Sequence, residues 1–181
     1  HGRDADYPYS QLNDVTGGLR LQELVTVTAG TGVGKSLISG EIAVSLIKQG
    51  HSVGYIALEE SVKRTGLRLM TVSANKPLHL NNEIPKEELE KAFKETVGSG
   101  KCFLRDGFGS LDPDVLLNDI RFLVKSNGVQ WIILDHLSIL ISGNESQDER
   151  KTLDIVMTKL RSFCEESGVG MILVSHLRRN Q

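Results

Sequence analysis

The sequence is short of several features that would each point to a particular class of protein. Its only cysteines, Cys102 and Cys164, stand far apart without C-x-x-C spacing, which disfavours both a disulfide framework and a zinc site. A formal net charge of -2 gives no overall polybasic signal, so any DNA contact must come from a local patch. No apolar run reaches membrane-spanning length, and the N-terminus is charged and unlike a secretory signal. These absences favour a soluble protein of the cytoplasm.

Short apolar segments alternate with amphipathic segments along the 181 residues, without an internal repeat or linker. The predicted strands are Leu24–Thr28, Ser52–Leu58, Lys101–Arg105, Gln130–Asp135 and Gly170–Ser175. The predicted helices are Ser36–Gln49, Val62–Ala74, Pro85–Val97, a helix that Asp112 caps with Pro113 at its first position, and Glu149–Glu166. This alternation predicts one α/β domain, with a mostly parallel central sheet between two layers of helices.

One glycine-rich segment predicts a triphosphate-binding loop of the P-loop type. The residues that would cradle the nucleotide are Ala29, Gly30, Thr31, Gly32, Val33, Gly34, Lys35 and Ser36. Glycines let the backbone curl so that N–H groups point into one concavity, and the following helix adds a favourable dipole. Lys35 is predicted to reach the β- and γ-phosphates, and the Ser36 hydroxyl is predicted to hold Mg²⁺. Ala29 stands where the usual pattern has a glycine, but three glycines keep the turn flexible.

Acidic residues follow two of the predicted strands, at the edge where parallel α/β sheets bind ligands. Asp135 ends an apolar strand and is a candidate Mg²⁺ ligand, although an aspartate there can also be a turn residue or a helix cap. Glu59 is the candidate base for an attacking water, with Glu60 as its competitor. Alternatively, this acidic pair only begins the next helix, where negative charge suits the helix dipole.

Three residues near the C-terminal end of the sequence are candidates for phosphate contacts. His176 follows the fifth predicted strand and could sense the γ-phosphate by hydrogen bonding, although a histidine there is also ordinary polar surface. Arg178 and Arg179 form a small basic pair that could contact a DNA phosphate. Their alternative interpretation is solvated surface charge.

Together, these motifs resemble the RecA-like ATPase core of superfamily 4 hexameric replicative helicases. The resemblance is to DnaB-type helicases and, more closely, to phage primase–helicases and mitochondrial Twinkle. It is carried by Thr16–Leu19 (T-G-G-L), Leu58–Ser61 (L-E-E-S), Ile133–Ser138 (I-L-D-H-L-S), Asp148–Lys151 (D-E-R-K), Met157–Leu160 (M-T-K-L) and Val174–Arg178 (V-S-H-L-R). The resemblance implies that Glu59, and not Glu60, is the catalytic base. It also implies that His176 is the phosphate sensor and that Arg178 begins a DNA-binding loop.

The same resemblance implies substrates, partners and a location. The substrate would be ATP, or another NTP or dNTP, with Mg²⁺. Single-stranded DNA, a hexameric ring of copies of the protein, a primase and a polymerase would be partners. The location would be the cytoplasm of a bacterial or phage-infected cell, with the mitochondrial matrix as the weaker alternative. The linker helix that joins subunits into a ring in this family is absent or reduced, so we expect residues 1–15 to be an N-terminal arm or linker remnant. Family members continue with an arginine finger for the neighbouring subunit. Residues 16–181 would then be a C-terminally truncated helicase domain with feeble hydrolysis alone.

Two alternatives stay open at this point. A RecA- or RadA-like recombinase ATPase would have the same fold, although the D-H-L-S and D-E-R-K segments argue against it. A nucleotide-gated assembly module would bind ATP as a switch without unwinding DNA. Lys35, Glu59 and Asp135 are all present, which argues against that module, because a degenerate ATPase has usually lost one of them.

Overall fold

The computed structural model describes residues 2–29, 35–76, 84–107, 112–141 and 147–179. Side chains are described throughout these ranges except at positions 29, 35–36, 136–141, 147–149 and 176–179. The helices are α1 (Ser10–Thr16), α2 (Lys35–Lys48), α3 (Val62–Ala74), α4 (Lys86–Glu95), α5 (Pro113–Asn127) and α6 (Gln147–Ser167). The strands are β1 (Leu24–Ala29), β2 (Val53–Ala57), β3 (Cys102–Asp106), β4 (Trp131–Ile141) and β5 (Gly170–Arg179). In these ranges no helix combines the length and the apolar character that crossing a bilayer would need.

The strands form one sheet in the order β1-β5-β4-β2-β3, with every neighbouring pair parallel. Helices cover both sides of this sheet. The prediction of an α/β fold with a parallel sheet between two helical layers is therefore confirmed. The five strands also lie where the apolar segments predicted them, although two are longer than expected.

The pleat of the strands divides the core into two clusters, because successive side chains point to opposite faces. We call the side covered by α2 and α3 the α2 face. Its buried residues include Ile42, Leu46, Val53, Tyr55, Leu69, Trp131 and Ile133. We call the side covered by α5 and α6 the α5 face. Its buried residues include Ile56, Leu116, Ile120, Ile132, Leu134, Leu160 and Leu173. Adjacent residues of β4 thus belong to different clusters, and Asp135 shares the parity of Trp131 and Ile133.

Helix α5 shows how local sequence fixes a boundary. Pro113 occupies its first turn, where no backbone N–H donor is needed. The Asp112 carboxylate accepts a hydrogen bond of 2.9 Å from the backbone N–H of Asp114, as an N-cap should. At the other end Gly128 adopts the left-handed conformation with φ of 66°. The predicted N-cap and first turn are confirmed.

The N-terminal segment packs onto α2. Ala5 pairs with Leu19 in an antiparallel bridge, and Ala5, Tyr7 and Leu19 are all buried in the cluster of the α2 face. The Tyr9 hydroxyl donates to Glu41 of α2. Helix α1 was not predicted, because its seven residues carry no buried side chain and hence no apolar stripe.

Two strand boundaries differ from the predictions. We expected β4 to end at Asp135 and β5 to end at Ser175, but the two strands stay paired as far as Ile141 and Arg179. The register shifts between Asp135 and Leu137, so His136 is an extra residue at a bulge. The physical reason is that each extension supplies the other with backbone partners, and 137–141 (L-S-I-L-I) is itself rich in apolar, β-prone residues. Asp135 and His176 therefore lie inside strands and not at their ends.

Candidate functional site

The register of the sheet brings the predicted acidic groups to neighbouring positions. Ala57, the last residue of β2, pairs with Asp135 of β4. One residue later, the backbone N–H of Leu58 donates to the backbone carbonyl of Asp135 at 2.7 Å. Glu59 follows directly, with an exposed side chain. The candidate base therefore follows a strand that lies next to the strand of the candidate metal ligand. Ligands of parallel α/β sheets bind near the carboxyl ends of neighbouring strands, so the two carboxylates could belong to one site.

Asp135 is a buried carboxylate with several donors on one oxygen. Its side chain is only 3% exposed. The oxygen Oδ2 accepts hydrogen bonds from the Tyr55 hydroxyl at 2.5 Å, from the Ser39 hydroxyl at 2.9 Å and from the Arg68 Nη2 at 3.3 Å. A buried charge needs such partners, because isolation from water would otherwise favour the neutral acid. These contacts also fix the plane of the carboxylate.

The donors to Asp135 form a network of their own. Ser39 and Tyr55 contact each other at 2.7 Å between their hydroxyl oxygens. Arg68 Nη2 also donates to the Tyr55 hydroxyl at 3.1 Å, and its guanidinium carbon lies 5.9 Å from the centroid of the Tyr55 ring. Burial raises the pKa of Tyr55, and the nearby Asp135 raises it further. The hydroxyl therefore stays protonated and remains a donor.

Arg68 joins this network to the end of β2. Its Nη1 forms an ion pair with Glu60, and its side chain is only 16% exposed. Burial alone would lower the pKa of Arg68, but Tyr55, Glu60 and Asp135 outweigh that cost, and the pKa is raised. The guanidinium stays charged and bridges Asp135 of β4 and Glu60, which lies in the segment between β2 and α3.

Helix α3 begins after the acidic pair. Its N-cap is Ser61, whose hydroxyl accepts from the backbone N–H of Arg64 at 3.2 Å, and its first turn contains no acidic residue. Glu59 and Glu60 precede the cap, so they lie outside the first turn of the helix. The two differ in their surroundings, since Glu60 pairs with Arg68 whereas Glu59 is exposed.

The phosphate-loop prediction falls largely outside the described residues. Gly30, Thr31, Gly32, Val33 and Gly34 belong to none of the described ranges, and the side chains of Ala29, Lys35 and Ser36 are not described. The backbone on either side is informative. Strand β1 leads into the loop and α2 begins at Lys35, which is the strand-loop-helix order that the motif needs.

His176 and the basic pair lie in β5. His176 pairs with Ala29 of β1 on one side and with Ser138 of β4 on the other. The histidine is thus beside the beginning of the phosphate loop. Arg178 and Arg179 pair with Leu140 and Ile141. The side chains of His176, Arg178 and Arg179 are outside the described set, so their sensing and DNA-binding roles stay predictions.

The donor chemistry at this edge fits Mg²⁺. The ion prefers oxygen ligands and is commonly held by one or two carboxylates together with substrate phosphates. Asp135 supplies a buried, oriented carboxylate at the position that the sequence predicted. No group of three or more His, Cys, Asp or Glu side chains that could hold a metal occurs within the described part of the chain, so a cage made only of protein ligands finds no support there.

Ser39, Tyr55 and Arg68 were not identified by the sequence analysis. Tyr55 carried a usable signal, because a tyrosine in a strand buried on both faces needs a partner for its hydroxyl. Ser39 and Arg68 carried none, because serine and arginine are common on any helix. Their role depends on contacts with residues far away in the chain.

Comparison with known proteins adds a second line of support. A family model described as the DnaB-like helicase C-terminal domain matches residues 6–181. A DNA helicase/primase of Enterobacteria phage T3 is 36% identical over 173 residues, covering 92% of this chain and 31% of that protein. The replicative DNA helicase DnaB of Geobacillus stearothermophilus is 24% identical, covering 99% of this chain and 42% of that protein. The chain thus spans well under half of the length of these relatives.

A further relative bears on the recombinase alternative. The DNA repair protein RadA of Bacillus subtilis is 36% identical over 80 residues, but the match covers only 44% of this chain and 18% of that protein. The likeness to RadA is therefore local, whereas the likeness to replicative helicases extends over nearly the whole chain.

Proposed function

The chain belongs to the DnaB-like helicase C-terminal domain family, and we propose that it is an ATP-hydrolysing motor domain that moves a replicative helicase along single-stranded DNA. The observation that carries this proposal is the buried Asp135 carboxylate, which lies beside the Glu59 segment on one edge of a parallel sheet. The strand β1 and the start of α2 flank the nucleotide loop at the same edge. These are the parts that phosphoryl transfer to water needs.

Each residue has a distinct role in the proposed reaction. The loop 29–36 holds the phosphates with its backbone N–H groups, and Lys35 neutralises charge on the β- and γ-phosphates. Ser36 and Asp135 would hold Mg²⁺, which would offset the negative charge of the phosphates. Glu59 orients the attacking water and accepts its proton.

Glu59 is preferred to Glu60 as the base because of the surroundings of the two carboxylates. Glu60 forms an ion pair with Arg68, which directs its carboxylate toward α3. The Glu59 side chain is exposed. Its backbone is placed by the hydrogen bond from the Leu58 N–H to Asp135.

His176 couples the nucleotide to DNA in this proposal. The backbone pairing of His176 with Ala29, the first residue of the predicted loop, supports a role for His176 in responding to a change at the γ-phosphate. Arg178 and Arg179 follow in the same strand and would pass the change to a DNA phosphate. When each subunit of a hexameric ring hydrolyses ATP in turn, this coupling moves the single-stranded DNA. A primase and a polymerase are proposed as further partners, and the cytoplasm as the location.

The decisive experiment uses the full-length product of the gene and compares two glutamate substitutions in it. ATP hydrolysis is measured with and without single-stranded DNA, alongside strand separation on a forked duplex. Glu59→Gln should keep nucleotide binding and lower turnover by roughly 10²- to 10⁴-fold, the usual contribution of a general base. Glu87→Gln, at an exposed position of α4, is the matched control and should behave as the wild type.

The alternatives make different predictions in the same assays. A nucleotide-gated switch would bind ATP without stimulation by DNA and would be little changed by Glu59→Gln. A recombinase-like ATPase would be stimulated by DNA but would not separate the fork. Either pattern would overturn the helicase proposal.

A further inference from the structure

Arg68 is the only residue of α3 for which the described contacts reach two acidic residues of the site at once. Its Nη1 contacts Glu60, and its Nη2 donates to both the Tyr55 hydroxyl and Asp135. Arg68 projects from the second turn of α3, whose N-cap Ser61 lies two residues after the candidate base Glu59. Its described contacts are with the candidate metal ligand Asp135, with the Tyr55 hydroxyl and with Glu60, the neighbour of the candidate base.

We infer that Arg68 is a positioning residue that locks the orientation of Asp135 and the position of the Glu59–Glu60 segment relative to each other. The inference rests on the proposed function and deepens it. Through Nη2, Arg68 helps to fix the plane of the Asp135 carboxylate. Through Nη1 it anchors Glu60, and this restrains the backbone from which the neighbouring Glu59 projects.

An arginine is suited to this task for two reasons. Its planar guanidinium presents several N–H donors in a fixed fork, so one side chain can serve two partners at defined angles. It also brings a positive charge to the neighbourhood of two carboxylates, which would otherwise repel each other near a buried position. A lysine ammonium could supply the charge but not the fork.

The alternative to this inference is a purely structural ion pair between β2 and α3. Two observations argue against it. The guanidinium does not stop at Glu60, but also contacts Asp135, whose side chain is 3% exposed. The Tyr55 hydroxyl is contacted by Ser39 of α2, Arg68 of α3 and Asp135 of β4, so the network converges on the candidate metal ligand from two helices. Groups that orient a metal ligand in this way typically contribute 10- to 100-fold to metal affinity or activity.

The test measures the dependence of nucleotide binding on Mg²⁺ in the protein in the longest form that its gene encodes. A fluorescent ATP analogue is titrated at a series of Mg²⁺ concentrations and in EDTA. Arg68→Gln should raise the Mg²⁺ concentration for half-maximal binding by roughly tenfold or more, with little change in affinity in EDTA. Arg68→Lys should recover part of the loss, because it restores the charge without the fork.

Two further variants make the result specific. Arg64→Gln is the matched control, since Arg64 lies one turn earlier in α3 with an exposed side chain, and it should match the wild type. Tyr55→Phe keeps the ring and removes the hydroxyl that joins Arg68 to Asp135. It should shift the Mg²⁺ dependence in the same direction by a smaller factor. If Arg68→Gln fails to fold, the Mg²⁺ dependence of Arg68→Lys decides the question.

ATP hydrolysis by the same proteins separates this inference from the proposed function. The expected result is a lower kcat in Arg68→Gln with a nearly unchanged KM at saturating Mg²⁺. If Arg68→Gln lowers thermal stability but leaves the Mg²⁺ dependence unchanged, Arg68 is structural and the inference is wrong although the motor remains. If the wild type shows no turnover but Arg68→Gln still weakens Mg²⁺-dependent binding, the proposed function fails and the inference stands. Equal wild-type binding in Mg²⁺ and EDTA would overturn both.

Discussion

The two faces of the sheet use the same alternating strands for different purposes. On the α5 face, the side chains from β2, β4 and β5 are aliphatic, and they pack against α5 and α6. On the α2 face, aliphatic side chains give way toward the carboxyl ends of the strands to Tyr55 and Asp135, with Ser39 facing them from α2. The first arrangement excludes water by shape alone. The second must also satisfy a buried charge.

The difference shows which face of the sheet carries groups that contribute little to folding stability and belong to the candidate site. Replacing an aliphatic contact by a buried carboxylate gains little for folding, because desolvation offsets most of the attraction between charges. Such a group persists when it serves another purpose, and here the purpose lies at the edge where the phosphate loop begins. We therefore expect changes on the α5 face to alter stability alone, whereas changes to the network of the α2 face alter ligand binding.

The largest effect on stability is expected from a cavity on the α5 face. Leu160 of α6 is 1% exposed, and Leu160→Ala should lower the free energy of unfolding by about 2–5 kcal/mol. The affinity for Mg²⁺–nucleotide should not change where the protein is still folded. Ile155→Ala in the same helix is the control, because Ile155 is 50% exposed, and it should cost about 0.5 kcal/mol or less. Urea unfolding combined with nucleotide titration checks both, and a large loss of affinity in Leu160→Ala would blur the distinction between the faces.

A pair of glycines sharpens the comparison through opposite signs. An alanine Cβ at Gly54 would lie 2.9 Å from Ile132 Cδ1 and 3.1 Å from Leu123 Cδ1 on the α5 face, so Gly54→Ala should cost about 1–3 kcal/mol. At Gly40 in α2 the nearest atom is Val72 Cγ2 at 3.4 Å, an ordinary contact. Gly40→Ala should therefore gain roughly 0.5–1 kcal/mol from helix propensity. Thermal unfolding of both variants is the measurement, and changes of the same sign would contradict the packing argument.

The smallest difference between the two faces is expected in the reactivity of their thiols, Cys102 on the α2 face and Cys164 on the α5 face. Burial raises the pKa of Cys102 to about 12 and that of Cys164 to about 11. At pH 8 iodoacetamide should leave both unmodified in the folded protein and modify both in urea, because the thiolate is the nucleophile. Mass spectrometry of the two peptides provides the readout.

The same pKa shifts predict how the free energy of unfolding changes with pH. Unfolded thiols lose their protons near 9.0, whereas the folded ones hold them to about 11 and 12. The contribution of the two protonated thiols to the free energy of unfolding is therefore complete below pH 9. It is lost as the pH rises through the pKa values of the folded protein. Rapid alkylation of either cysteine at pH 8 would show that its cluster opens readily, and would mark that face as the looser one.

Much of the fold could be predicted because its signals are local. The cap of α5 is encoded within the three residues Asp112–Asp114, and the apolar stripe of α6 repeats at the helical period with Val156, Leu160 and Cys164 buried. The predicted ends of β4 and β5 were wrong because their signal is not local. Each strand continues only because the other lies beside it, and pairing between distant segments is invisible to a local pattern.

By itself, the sequence determined the order along the chain of the five strands and of the helices from α2 onward, the position of the glycine-rich loop, and the acids Glu59 and Asp135 as candidates. These depend on backbone preferences and on side-chain periodicity over a few residues. Only the tertiary structure decided that Ser39, Tyr55 and Arg68 meet at Asp135, across 96, 80 and 67 residues of chain. That meeting depends on the parallel register of β2 and β4 and on the rotation of α2 and α3 against the sheet. Both are set by close packing of the whole core, so no short stretch of the chain contains them.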